Sequence, residues 1–232
     1  MKRTIRSLVK SLGYEVRTVS ASRRFRRLEQ LGINLVLDVG ANIGQYASSL
    51  RKSGYKGRIR SYEPLHEAFA ALTSKAAHDP AWTAVNCACG ARDQSATINV
   101  AKNSFSSSLL PILERHVQNA EDSTYIKQEV ISVRSLDEEI LPALTPSDRL
   151  WLKIDTQGYE AEVLKGAVEL LDRVAGLECE LSILPLYDGQ PLIDEMIRSL
   201  YKKGFRLVET TPGFFEEDTG YPLQMDGIFL RM

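Results

Sequence analysis

Cysteine is scarce in this 232-residue chain, and its three copies, Cys87, Cys89 and Cys179, are odd in number. A single C-x-C is neither a zinc site nor a disulfide framework, so a reduced, cytoplasmic setting is expected. Long apolar runs are missing too. No stretch approaches the roughly 20 residues of a membrane span, and the N-terminus lacks the apolar region of a signal peptide. There is no internal repeat, no low-complexity tract and no linker that would divide the chain. One α/β domain with a full core fits the length, with small additions. A surplus of one charge is also absent overall, since the net charge is −1. The charge is unevenly spread, however. Residues 1–32 hold nine Lys or Arg against Glu15 and Glu29, a net of +7, which leaves −8 for the rest. No aromatic interleaving accompanies the basic residues, so no nucleic-acid partner is expected. Ile5, Leu8, Val9 and Leu12 recur at helical spacing among the Lys and Arg, so residues 1–32 read as a basic N-terminal helical extension to a domain at 33–232. Either this helix packs on the flank of the domain, or it meets an anionic membrane surface or a lipid-linked acceptor at the inner membrane face.

What is present is concentrated in residues 35–44, LVLDVGANIG, followed by Glu63-Pro64. An apolar strand ends in Asp38 and turns through Gly40, Asn42 and Gly44 into a helix whose first N–H groups are expected to face a ligand. Gly40 permits close approach of a ligand, and Asn42 is one of the few non-glycine residues that tolerate positive φ. Glu63 ends the next apolar strand, nineteen residues beyond Gly44, where a carboxylate accepts the two hydroxyls of an adenosine ribose. A nicotinamide fingerprint would read G-x-G-x-x-G, whereas this turn reads G-x-N-x-G with an acid before it. Asp38 would repel a pyrophosphate and attract the ammonium of S-adenosyl-L-methionine. The methyl donor is therefore the expected cofactor, with an NAD(P)-linked oxidoreductase as the alternative.

The rest of the chain alternates. Helix 65–77, strand 82–87, an extra strand at 96–101 and an irregular polar stretch at 102–128 with a helix at 111–119 come first. Strands at 129–134 and 149–155, a helix at 160–171, a strand at 176–184 and a helix at 191–203 follow. Strands 205–210 and 225–231 end the chain, joined by a loop rather than a crossover helix. The expected fold is a mostly parallel sheet covered on both faces, with a C-terminal antiparallel hairpin at one edge.

The second chemical cluster is WLKIDTQGYE at 151–160. Lys153 and Asp155 share a strand face, and a lysine there needs an acid beside it, for which Glu178 and Glu180 are the candidates. Asp226, at the start of the last strand, should join Asp155 and Glu180 near the strand carboxyl ends.

In this combination the chain resembles the FkbM-type methyltransferases. The matching segments are VLDVGANIG (36–44), Glu63-Pro64, NCACG (86–90), SSL (107–109), SLD (135–137), LKIDTQGYE (152–160), VLKGA (163–167) and MDGIF (225–229). Thr156 stands where that family commonly has valine. The resemblance implies the class I Rossmann-like methyltransferase fold and transfer of a methyl group to a hydroxyl of a sugar, glycolipid or polyketide-like acceptor. It implies cofactor contacts at Asp38, Gly40, Ala41, Asn42, Gly44, Glu63, Pro64, Asn86 and Ser107. Asp155, Lys153 and Glu180 form the expected catalytic group, with Asp155 ahead of Glu180 as base and no metal. His116 is an alternative base, while His66 reads as a surface residue. Phe214, Phe215 and Tyr221, in the loop 211–224, are expected to join residues 102–128 as the acceptor wall. A catalytically inactive binding protein of the same fold is the remaining alternative.

Overall fold

The computed structural model describes residues 20–232, so the helix expected around Ile5 to Leu12 lies outside the described residues. Strand β1 (Leu35–Val39) is buried along its whole length, and β7 (Leu150–Ile154) is buried except at Lys153. Near-continuous apolar runs of this kind belong to strands covered on both faces. With β2 (Arg58–Tyr62), β3 (Trp82–Val85) and β8 (Val174–Ser182) they form a parallel set. β10 (Gln224–Arg231) then pairs antiparallel with both β8 and the edge strand β9 (Phe205–Pro212). The order of the seven strands is β3-β2-β1-β7-β8-β10-β9. The expected parallel sheet with its terminal hairpin is what forms.

Period two divides the sheet chemically. Leu37, Val39, Leu152, Ile154, Leu177, Cys179 and Phe229 project to one side. There they meet α5 (Leu136–Ile140), α6 (Glu160–Lys165) and α7 (Ile193–Lys202) through Leu136, Val163, Leu164, Met196 and Leu200. Val36, Trp151 and Ile228 project to the other side. They are covered by α1 (Ser20–Gln30), α2 (Gln45–Lys52) and α3 (His66–Ala76), through Leu28, Ala47, Leu50 and Leu72. Asp38, Lys153 and Glu178 lie on this second face, since Asp38 pairs with Lys153 and Lys153 with Glu178 in the strand register. The charged residues therefore start where the apolar part of that face stops, toward the strand carboxyl ends.

A second sheet of three strands, in the order β4-β6-β5, stands beside the first. It comprises β4 (Ala88–Cys89), β5 (Gln94–Ala101) and β6 (Tyr125–Arg134), and it packs Ile98, Val100, Ile131 and Val133 against Leu65 and Ala68. Strand alternation alone does not reveal this separate sheet, because a crossover and a change of sheet leave the same trace in a sequence. Two other differences have local causes. The helix expected over 160–171 stops at Lys165 and resumes as a 3-10 turn at Leu170–Arg173. At Gly166 a side chain would stand 1.9 Å from the Gly90 carbonyl oxygen, so the chain is pressed against a neighbouring backbone there. The stretch 102–128 is also less irregular than expected. It holds a 3-10 turn at Ser104–Ser106, a short α4 (Glu114–Asn119) and the first residues of β6.

Candidate functional site

The turn from β1 to α2 is built for close contact. Gly40 has φ 75°, and a Cβ there would lie 1.8 Å from the Asp155 carbonyl oxygen. Asn42 takes φ 47°, as its residue type allows. Gly44, at φ 81°, is a packing position, because a Cβ would press on Leu72 and Trp82 at 2.9 Å. The N–H groups of the turn itself, ahead of the first helical residue Gln45, do not face a ligand. Those of Gly40 and Ala41 bond to the Tyr62 carbonyl at 3.1 and 3.0 Å, and that of Gly44 bonds to the Ala41 carbonyl at 2.8 Å. Asn42 N–H donates to Glu63 Oε2 at 2.8 Å, and Ile43 N–H donates to Asn42 Oδ1 at 2.9 Å. The end of β2 supplies the acceptors for Gly40, Ala41 and Asn42, and the turn itself supplies those for Ile43 and Gly44.

Glu63 is held on its other oxygen by Leu65 N–H at 2.9 Å. Burial pushes its carboxyl up to about 7, against the two backbone hydrogen bonds that lower it. Each carboxylate oxygen retains a lone pair for a further donor. Asn86 braces this corner from outside the cavity, donating to the Glu63 and Pro64 carbonyls at 2.9 and 3.1 Å. Ser107 lines the cavity while its hydroxyl oxygen accepts the Ala101 N–H at 3.0 Å.

A cavity of about 410 Å³ runs from this corner to the charged end of the sheet. Gly40, Ala41, Asn42, Glu63, Pro64, Ser107, Lys153, Asp155 and Glu180 all line it, joined by Asp226. Asp38 does not. It is 0% exposed and sits behind the cavity wall, with Ser61 donating to Oδ2 at 3.2 Å and Lys153 Nζ 3.9 Å from Oδ1. Burial raises its carboxyl to about 6, although Lys153 and the Ser61 hydroxyl both lower it. A direct contact between Asp38 and a cofactor ammonium is thus not what the fold builds. Asp38 instead serves Lys153.

The partners of Lys153 are also different from those expected. Its ammonium donates to Asp155 Oδ2 at 2.9 Å and lies near Asp38, whereas Glu178 is taken by Arg24 of α1, with Nε to Oε2 at 2.6 Å. Tyr46 of α2 also donates to Glu178, at 3.0 Å, and itself accepts the Trp151 indole N–H at 3.0 Å. Gln157, at φ 55°, is the linking residue. Its amide nitrogen donates to Asp155 Oδ1 at 2.9 Å and to Glu180 Oε2 at 3.1 Å, while its amide oxygen accepts the Tyr187 hydroxyl at 2.8 Å. Burial would raise the Asp155 carboxyl, but the Lys153 ammonium and the two hydrogen bonds outweigh it and hold Asp155 below the usual carboxylate range. Burial pushes Glu180 well above that range, and the charges of Asp155, Glu160 and Asp226 add to the effect.

Arg24, Tyr46, Gln157 and Phe105 are cavity residues that reading the sequence did not single out. Arg24 was hidden in the basic surplus of residues 1–32, whereas Gln157 sat inside a marked motif and Phe105 inside the stretch 102–128 expected to form the acceptor wall. Phe105, 59% exposed, edges the cavity alongside the tyrosines Tyr46 and Tyr159. Phe214, Phe215 and Tyr221 do not line it. Phe214 packs beside Leu186, Tyr187 and Leu223 instead, because the loop after β9 folds back on itself through a Phe215–Pro222 bridge. His116 is buried, 4% exposed, against Tyr187 and Phe214 outside the cavity, and burial lowers its imidazole to about 4. His66 is on the surface, beside Glu129.

The profile described as "Methyltransferase FkbM domain" matches residues 38–207, well over half of the chain. The chain belongs to the FkbM methyltransferase family. A search of curated proteins found no match. Among solved structures, an FkbM methyltransferase from Methylobacillus flagellatus KT shares 14% identity, with 84% of this chain and 43% of that one covered and a TM-score of 0.48. This chain thus spans under half the length of that protein. An rRNA methylase from Streptococcus thermophilus shares 10% identity over 94% of this chain and 98% of that one, with a TM-score of 0.49. A magnesium protoporphyrin IX methyltransferase from Synechocystis PCC 6803, solved with bound SAM, shares 11% over 100% and 97%, with a TM-score of 0.47. At these identities and scores the likenesses bear on neither acceptor nor mechanism. The family segment leaves out α1, with Arg24, and β10, with Asp226, yet both reach the cavity of this FkbM protein.

Proposed function

We propose that this FkbM-family protein is an S-adenosyl-L-methionine-dependent O-methyltransferase that acts on a hydroxyl of a sugar, glycolipid or polyketide-like product. The observation that carries this reading is the turn after β1, whose N–H groups from Gly40 to Gly44 are all spent on protein acceptors. A pyrophosphate needs such N–H groups free, and this crevice would set it against carboxylates, which disfavours a dinucleotide. An adenosine carrying a cationic sulfonium needs neither. It fits a crevice with Glu63 at one end for the ribose hydroxyls, apolar Leu65, Ile98 and Leu109 nearby, and acids at the other end. When bound, the donor supplies a methyl group to an oxygen nucleophile.

The residues divide the remaining work. Gly40 and Ala41 give the donor a flush wall, and Glu63 fixes the ribose. Asp155, with both oxygens engaged by Lys153 and Gln157, suits orienting better than proton transfer, while Glu180 faces the acceptor side. Phe105 offers an apolar face to a sugar ring or lipid. The basic stretch 1–32 is proposed to meet an anionic membrane surface when the acceptor is lipid-linked. Three buried free thiols support a reduced, cytoplasmic setting. No helix among the described residues is long and apolar enough to cross a membrane.

Calorimetry with S-adenosylhomocysteine and with NAD(P) tests the donor, and tritiated methyl transfer to a panel of p-nitrophenyl glycosides tests the acceptor class. Binding of S-adenosylhomocysteine without binding of NAD(P) is expected. The reverse would overturn the reading.

A further inference from the structure

The carboxylates that line the crevice differ in what holds them. Glu63 accepts an N–H on each oxygen, Asp155 takes Lys153 on one and Gln157 on the other, and Glu178 takes Arg24 and Tyr46. Glu180 has a donor on one oxygen, the Gln157 amide. Among the described residues no donor and no ion-pair partner meets the Asp226 side chain, which lines the same crevice.

Asp226 and Glu180 are directly opposed in the β8–β10 register. Opposed residues on antiparallel strands project to one face with Cβ atoms about 4.5–5.5 Å apart. Two carboxyls so placed, neither bonded to a cation, resist ionising together. The charges around them do not relieve this. Glu178 stands on β8, Glu160 begins α6, and Asp155 follows directly on β7. The cations that face them, Lys153 and Arg24, are already bonded to Asp155 and Glu178. The β9 neighbour of Asp226 is Thr211, which carries no charge.

We propose that Glu180 and Asp226 work as a pair that carries a single negative charge at neutral pH, with Asp226 the catalytic carboxylate that takes the acceptor's hydroxyl proton. The proposal rests on the methyltransferase reading and deepens it. As the acceptor oxygen gains the methyl group, its O–H bond breaks, the electron pair stays on oxygen and the proton passes to Asp226, which returns it to solvent. The pair of the broken C–S bond remains on sulfur. Burial pushes the Asp226 carboxyl up to about 6, with Glu178 and Asp155 adding to the shift and Lys153 and Arg24 opposing it. Glu180 is also pushed well above the carboxylate range, and in the proposed pair it holds the proton while Asp226, with no donor on either oxygen among the described residues, is open to the acceptor's O–H. A base that is ionised at pH 7 yet titrates near it is matched to its task, and Asp155, held below the usual range, is not.

The test is a carboxyl-carbon NMR titration of the full chain, labelled at Asp and Glu, with and without Asp226→Asn. A midpoint for Asp226 near pH 6 is expected in the wild-type protein, and a midpoint for Glu180 well above the usual carboxylate range that moves down by at least about one pH unit in Asp226→Asn, where the opposed charge is gone. A midpoint near 4 for Asp226, or none of that movement of Glu180 in the variant, overturns the pair. Asp226→Asn should lower methyl transfer to the glycoside panel by at least about a hundredfold. It should leave the affinity for S-adenosylhomocysteine within about twofold. Unchanged transfer, or a loss of donor affinity as large as the loss of rate, overturns the base assignment. If the wild-type protein binds no S-adenosylhomocysteine, the donor reading fails, while the titration still decides the pair.

Discussion

Glu63 shows how much one side chain is asked to do. It closes the β1–α2 turn through the Asn42 N–H, starts α3 through the Leu65 N–H, and is placed to accept ribose hydroxyls. Glu63→Ala should weaken S-adenosylhomocysteine binding by about 1.5–3 kcal/mol, read by calorimetry on folded protein. Since only the carboxylate accepts both hydroxyls and its carboxyl is raised to about 7, donor affinity should strengthen as pH rises through that value. Asp38 makes a prediction about stability. Its carboxyl is raised from 3.8 to about 6 in the folded chain, so the folded state holds its proton more tightly than the unfolded one. That contribution is fully present below about pH 4 and is lost as pH rises through about 6, a difference on the order of 3 kcal/mol. Unfolding curves of the wild-type protein and Asp38→Asn, compared from pH 4 to 7, should therefore shift against the wild-type protein. The buried His116 imidazole, lowered to about 4, works in the opposite direction, but it is common to both proteins and cancels.

At the scale of elements, α1 is part of the crevice as well as a cover for the sheet. Leu28 is buried in the core, Arg27 pairs with Glu209 on β9, and Arg24 pairs with Glu178 on β8 while lining the cavity. Removing the cation strands a buried carboxylate. Arg24→Ala should cost about 3 kcal/mol in chemical denaturation, and the double variant Arg24→Ala/Glu178→Gln should recover part of it. An additive result would show that the pair is not coupled. The β1–α2 turn is equally unforgiving. Gly40→Ala would set a methyl group into the Asp155 carbonyl at a positive φ, so a loss of at least about 2 kcal/mol is expected, with donor binding weakened as well. A Gly40→Ala protein with normal melting and normal donor affinity would overturn the close approach of the β1–α2 turn to the Asp155 carbonyl.

At the scale of the whole molecule, the crevice joins elements from both ends of the chain, so occupancy should stabilise the fold as a unit. S-adenosylhomocysteine at about a hundred times its Kd should add about 2.7 kcal/mol to the unfolding free energy, seen as a concentration-dependent Tm, and NAD(P) should add nothing. A melting temperature indifferent to S-adenosylhomocysteine would separate the cavity from the core. Much of this architecture could be read in the residues alone. The apolar runs of β1 and β7 and the helical stretches between them give the parallel sheet, and the hairpin follows from a missing crossover. Asp155, Glu180 and Asp226 meet at one rim because period two and strand direction place them there. What was less legible is telling. The second sheet, the 3-10 turn after Gly166 and the inward fold of Phe214 each depend on which segments touch, and nothing in the local pattern records that.

Local periods and local backbone demands account for the alternation of the strands, the glycines and Asn42 of the turn, and the rim on which the acids fall, and all of these are legible residue by residue. Partner choice was settled by packing. It gave Lys153 to Asp155 and Asp38 rather than to Glu178, brought Arg24 across the chain to Glu178, and spent the turn's N–H groups on Tyr62 and Glu63. The physical reason is that buried charges and N–H groups take whichever partner the packing brings within about 3 Å, and sequence spacing does not set that distance.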